Sequence, residues 1–155
     1  MNKYLAAWSA VACLALSARV EAQETARGNW LETRFHRVHL LNGNFIDGQL
    51  VSDVSWHAVS YGPSEGSRAL NVGLSLIPDA RGHGFGTEAQ RLLAALLFRL
   101  FDIERIEAST DVENIAEQRS LEKAGFTREG ILRRAQWRAG AHHDLVSYSI
   151  LREDL

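Results

Sequence analysis

The chain is short of several things, and each shortage removes a class of function. Its 155 residues hold one cysteine, Cys13, so neither an internal disulfide nor a multi-thiolate zinc site can form. Positive charge is not in excess. The 17 Lys and Arg stand against 19 Asp and Glu, a formal net charge of -2, which excludes a strongly basic nucleic-acid or membrane-surface protein. Lysine itself is nearly missing, with Lys3 and Lys123 alone. Arginine forks phosphate and carboxylate better than lysine, but codon bias accounts for the imbalance as well. Internal repeats, low-complexity tracts and linkers are absent. What remains, 46% hydrophobic and 23% charged residues, is the composition of one globular domain.

The N-terminal stretch is the least ordinary. Residues 4–18 form an apolar run broken only by Ser9 and Ser17. A bilayer span needs about 20 such residues, so no stable membrane association is expected. Lys3 before the run, and Val20 and Ala22 ahead of Gln23, are the layout of a secretory signal peptide. The alternative is a buried helix, because Leu5, Trp8 and Ala12 recur at helical spacing. The chain therefore divides into residues 1–22, signal-like or a replacement helix, and a domain over 23–155.

Within that domain, Leu31, Phe35, Val38 and Leu41 predict a short helix over 31–41, ended by Asn42-Gly43-Asn44. Residues 49–60 and 67–77 read as antiparallel strands around the turn cluster Gly62-Pro63-Ser64-Glu65-Gly66. Residues 87–101 are an amphipathic helix with Ala89, Leu92, Leu93, Leu96, Leu97 and Leu100 on its apolar face. A short strand over 105–110 and a helix over 114–124 follow. Gly125 closes that helix at the position that takes a left-handed residue. Residues 131–139 and 145–151 form a terminal hairpin turning at Gly140. This order predicts an α+β fold around a mixed sheet.

The chemistry is expected where the second long strand turns into the first long helix. There Pro78-Asp79-Ala80-Arg81-Gly82-His83-Gly84-Phe85-Gly86-Thr87 alternates three glycines ahead of a helix start. Glycine lets successive amides point into one concavity, and a helix N-terminus adds free N–H groups and partial positive charge. Such a place holds phosphate, with Arg81 either adding a fork or fixing the loop. A P-loop is excluded, because no lysine precedes Thr87. A dinucleotide fingerprint can be forced on Gly84, Gly86 and Ala89. Its acidic partner would be Glu104, which begins the next strand instead of ending it. The pyrophosphate of coenzyme A and a glycine turn used only for tight packing remain.

Taken in order, these segments resemble the GNAT acetyltransferase superfamily. Arg81-Gly82-x-Gly84-x-Gly86 after a strand is similar to its acetyl-CoA loop. Residues 105–114, ending in Asn114, are similar to the next strand and its asparagine. Leu121-Glu122-Lys123-Ala124-Gly125-Phe126 resembles the branch that acetylates ribosomal-protein N-termini, the RimJ and RimL type. Gly130, Leu132, Arg133, Gly140, Asp144, Tyr148 and Ser149 fit that branch's terminal hairpin.

The resemblance implies a mostly antiparallel sheet with two splayed parallel strands, flanked by helices. It also implies a first strand that has no clear counterpart here, so a truncated or fused reading frame is one explanation of the N-terminus. Acetyl-CoA would lie in the splay, bonding near Leu76 and Ile77, with its pyrophosphate on the amides of Gly82, His83, Gly84, Phe85, Gly86 and Thr87. Asn114 would lie near the cofactor arm, although as an N-cap it needs no function. The acceptor would be a primary amine, a protein or peptide N-terminus before a small amine, attacking the thioester directly. A binding module of the same fold without turnover is the rival reading. A cytoplasmic setting follows from the cosubstrate, and export follows instead if residues 1–22 are a signal. No nucleic acid is expected, and the chain is expected to act as a monomer or homodimer.

The attacking amine must lose a proton. Glu107 is the expected base, because a glutamate inside a short apolar strand is uncommon and burial favours a raised pKa. A glutamate in this strand is also the base in related N-terminal acetyltransferases. The structural alternative is an ion pair with Arg105 or Arg133. Many relatives place a tyrosine acid where this chain has Leu121, and the closer branch often has serine where it has Glu117. Ser120 is the remaining guess for a proton donor. No metal is expected: His36 and His39 lack a carboxylate at ligand spacing, and His142-His143-Asp144 lacks a third ligand. Trp56, Tyr61, Trp137 and Tyr148 are divided between acceptor pocket and core, with core assigned to at least half.

Overall fold

Alternating apolar residues, long enough to cross a sheet, organise the molecule. The computed structural model describes residues 38–39, 44–46 and 49–155. The described strands are β1 (Val38–His39), β2 (Asn44–Ile46), β3 (Gln49–Ser60), β4 (Arg68–Leu76), β5 (Arg105–Asp111), β6 (Thr127–Arg138) and β7 (Ala141–Leu151). Among the described residues two α-helices join them, α1 (Phe85–Leu100) and α2 (Ile115–Lys123). The sheet runs β1-β3-β4-β5-β7-β6, with β2 also on β3. Every pairing is antiparallel except β4 with β5. This is the mixed, mostly antiparallel sheet expected, and β3 has the predicted bounds.

One predicted element changes type in the described part. Val38 and His39, expected in a helix, form a strand opposite Trp56 and Ser55. The edge of a 12-residue strand offers a row of backbone partners that a short helical stripe cannot outbid. The rest of 31–41 lies outside the described residues, as do the whole 1–22 segment and His36.

The core lies between one sheet face and the two helices. Leu70 and Val72 of β4, Ile106 and Ala108 of β5, and Tyr148 of β7 meet Leu97 of α1 and Leu121 of α2. Tyr148 and Leu97 are completely buried. The buried face of α1 is rotated from the predicted one. Gly86, Gln90, Leu93 and Leu97 point inward, while Leu100 is exposed. The helix also begins earlier than Thr87, because Gly84 in a left-handed conformation is its N-cap. Asn114 caps α2 by accepting from the Glu117 amide at 3.3 Å. Gly125, at φ 99°, closes the other end, where the Phe126 amide donates to Leu121 O at 3.0 Å.

Candidate active site

The glycine turn is built to leave its outer side open. After β4 a single turn at Pro78–Ala80 reverses the chain. Arg81 Nε and Nη2 donate to Leu76 O at 3.2 and 3.1 Å, so this guanidinium fixes the loop. Gly82 and Gly84 have φ of 75° and 84°, and a Cβ added at either would meet nothing within 4 Å. These two glycines therefore serve backbone conformation and clear space. Gly86 does the opposite. Its Cβ would lie 3.2 Å from Leu76 Cδ1 and 3.3 Å from Leu74 Cδ2, so it lets α1 approach β4 closely. The first turn of the 16-residue α1 follows directly and brings positive helix-end potential to the turn. His83 and Phe85 stack at a tilt beside it, with ring centroids 5.9 Å apart.

The parallel strands splay next to this turn. β4 and β5 pair only from Leu70 with Ile106 to Val72 with Ala108. Yet β4 continues to Leu76 and β5 to Asp111, so their facing backbones part beyond Val72. A cavity of about 170 Å³ lies there. Val72, Leu74, Leu93 and Ala108 give it an apolar wall. Gln90, Ser109, Thr110, Asn114 and Glu117 supply its polar groups. Of the sequence-predicted residues only Asn114 is in this lining. Leu76, Ile77 and Arg81 to Thr87 form the adjoining turn.

A polar chain ties α1 to α2 beside the cavity. Thr87 Oγ1 and Ser120 Oγ are 3.1 Å apart, and Ser120 donates to Gln90 Oε1 at 3.1 Å. Gln90 Nε2 in turn donates to Glu117 Oε1. Ser120 thus sits behind Gln90, outside the cavity lining. Burial pushes the Glu117 carboxyl above the usual carboxylate range, opposed in part by the Gln90 bond. Sequence reasoning missed Gln90 altogether and noted Glu117 only as a departure. Gln90 carried one usable signal, a polar residue on the row of Gly86, Leu93 and Leu97.

Glu107 lies on β5 facing the other side of the sheet from Ile106 and Ala108. It is 6% exposed. Arg105 Nε donates to Glu107 Oε1 at 2.6 Å, and Tyr61 Oη donates to the same oxygen at 2.5 Å. Arg105 also pairs with Glu129, which accepts from Ser149 Oγ at 2.8 Å. The hydrogen bond to Glu107, then burial, raise the Tyr61 pKa. The ion pair named as the structural alternative is therefore present, with Arg105 as its partner.

The remaining candidates separate cleanly. Trp56 and Tyr148 are core, and Tyr61 and Trp137 are 65% exposed. His143 Nδ1 lies 2.9 Å from Asp111 Oδ2, which Arg138 also pairs with. Asp144 accepts from the Arg134 amide at 2.7 Å, and His142 packs edge-on to Trp137. Among the described residues, no three His, Cys, Asp or Glu side chains gather as a metal site.

Comparison with known proteins places this geometry. A profile for the acetyltransferase (GNAT) domain matches residues 15–127. Its start overlaps the segment read as signal-like, so the likeness begins well before residue 49. A Bacillus subtilis protein provisionally named ribosomal N-acetyltransferase YdaF is 30% identical over 72% of this chain and 59% of its own. Another from that organism, provisionally named N-acetyltransferase YjcK, is 33% identical over 70% of this chain and 58% of its own. The chain thus spans somewhat over half the length of these relatives. The solved structure of Mycobacterium smegmatis RimJ, in complex with a CoA-disulfide, aligns with TM-score 0.63 and 27% identity. That alignment covers 72% of this chain and 52% of RimJ.

Proposed function

The chain belongs to the GNAT acetyltransferase family, and from that premise we propose that it transfers acetyl from acetyl-CoA to a primary amine. The observation that carries the reading is the parting of β4 and β5 beyond Val72 and Ala108, beside an open glycine turn and a helix start. Exposed strand backbone in a splay suits an arm that itself carries amides, and the turn suits a pyrophosphate. The CoA-disulfide in the solved RimJ structure supports acetyl-CoA as cosubstrate.

The proposed acceptor is a protein or peptide N-terminus, supported by the ribosomal name of YdaF. Holding amine and thioester together supplies much of the rate, since well-oriented reactants gain about 7–11 kcal/mol over free ones. Glu107 is proposed to take the proton of the attacking amine. Its position, one residue before the strands part, and the bonds from Arg105 and Tyr61 that fix its carboxylate support that role. A cytosolic setting goes with this cosubstrate.

The test is a thiol-release assay with acetyl-CoA and a panel of amines: peptides with free N-termini, polyamines and aminoglycosides. Amine-dependent release, fastest on peptides, supports the proposal. Binding of acetyl-CoA with no release on any amine would make the chain a binding module instead.

A further inference from the structure

Transfer leaves a thiolate behind, and the cavity wall contains one group suited to protonate it. Besides Glu117, no residue lining the cavity is charged. The hydroxyls of Ser109 and Thr110 and the amides of Asn114 and Gln90 hold their protons far above neutral pH. We propose that Glu117, held by Gln90, donates the proton to the departing thiolate; this rests on the acetyl-transfer reading above.

The geometry sets which atom carries the proton. Ser120 occupies Gln90 Oε1 as its hydrogen-bond donor, so the Gln90 amide must turn its N–H₂ toward Glu117. Glu117 Oε1 is then an acceptor, and Oε2 is the oxygen left to bear hydrogen. The Glu117 amide is fixed to Asn114 Oδ1, which pins the first turn of α2 to the cavity. Burial favours the neutral carboxyl, and no charged group in the lining opposes it. A thiol has a pKa of about 8.5, so proton passage from a carboxyl to the sulfur runs downhill.

The balance is complete. The amine nitrogen bonds to the acetyl carbon while the carbon–sulfur bond breaks with its electron pair on sulfur. The Oε2 proton passes to sulfur, and Glu117 is left as carboxylate. It regains a proton from solvent before the next turnover. The attacking nitrogen, a neutral amine, gives its one surplus proton to Glu107 as the amide forms, and Glu107 passes it on to solvent. Gln90, and Ser120 behind it, are positioning residues.

The experiment uses the full chain, acetyl-CoA and the fastest peptide of the amine panel. In Glu117→Gln, kcat falls about 100-fold, the low end for general acid–base catalysis because a thiolate is already a fair leaving group. CoA affinity, measured by calorimetry, stays within about threefold, and the alkaline limb of the kcat profile disappears. In Gln90→Leu the opposing hydrogen bond is gone, so the alkaline limb moves to higher pH. A Glu117→Gln variant that keeps both kcat and the alkaline limb overturns the proposal. So does one that loses CoA affinity in step with kcat. If wild-type protein binds acetyl-CoA but releases no thiol on any amine, the acetyl-transfer reading itself has failed, and this inference with it.

Discussion

Substitution of Gly84 separates backbone strain from occupation of the turn. At φ 84° an alanine is strained by about 1–2 kcal/mol, and its Cβ touches nothing within 4 Å. For a chain of this size that corresponds to a fall in Tm of roughly 2–8 °C, followed by circular dichroism. CoA affinity in Gly84→Ala should change little once folding is restored. Gly84→Trp carries the same strain but fills the open side of the turn. If two amide–phosphate hydrogen bonds are lost, at about 1.5–3 kcal/mol each, affinity falls by roughly 10²- to 10⁴-fold. Isothermal titration of both variants with CoA is the assay. A folded Gly84→Trp that binds CoA as tightly as wild type refutes the pyrophosphate site.

Other outcomes follow from the same geometry. Glu107→Gln lowers kcat by about 100-fold and shifts the pH–rate profile with CoA affinity intact; a changed Tm with unchanged kinetics would leave Glu107 only structural. Gly86→Val forces side chains apart where 3.2 Å is already tight, costing about 1–3 kcal/mol, or roughly 2–12 °C in Tm. The Glu113 amide, then Arg138 and His143, hold Asp111 below the usual carboxylate range, so its stabilisation is present above pH about 4 and is lost on acidification. Asp111→Asn should therefore melt earlier than wild type at neutral pH, with the gap closing in acid. A gap that stays constant across an acid melting series contradicts that.

Local pattern carried far where neighbours in sequence were also neighbours in space. The bounds of β3 follow from alternation and a glycine-proline turn, and Gly125 from the stop it makes. Arg105 could be named as a partner for Glu107 because two residues apart on a strand share a face. Tyr61, 46 residues away, could not. The face of α1 turned because Gly86 permits close approach at the row containing Gln90, which a count of leucines cannot reveal. The Gln90–Glu117 bond joins two helices across 27 residues, a pairing that no local window along the sequence contains. Val38 and His39 were governed by β3, a partner beyond the reach of a helical window.

CoA held by the 82–87 turn and the β4–β5 splay, as proposed, must perturb the backbone amides of both. Backbone amide NMR during titration of the full chain with CoA tests this most directly. Saturable shifts at Gly82, Gly84, Gly86, Ser109 and Thr110, with one dissociation constant, are predicted. Saturable binding that leaves those amides unmoved would contradict the account.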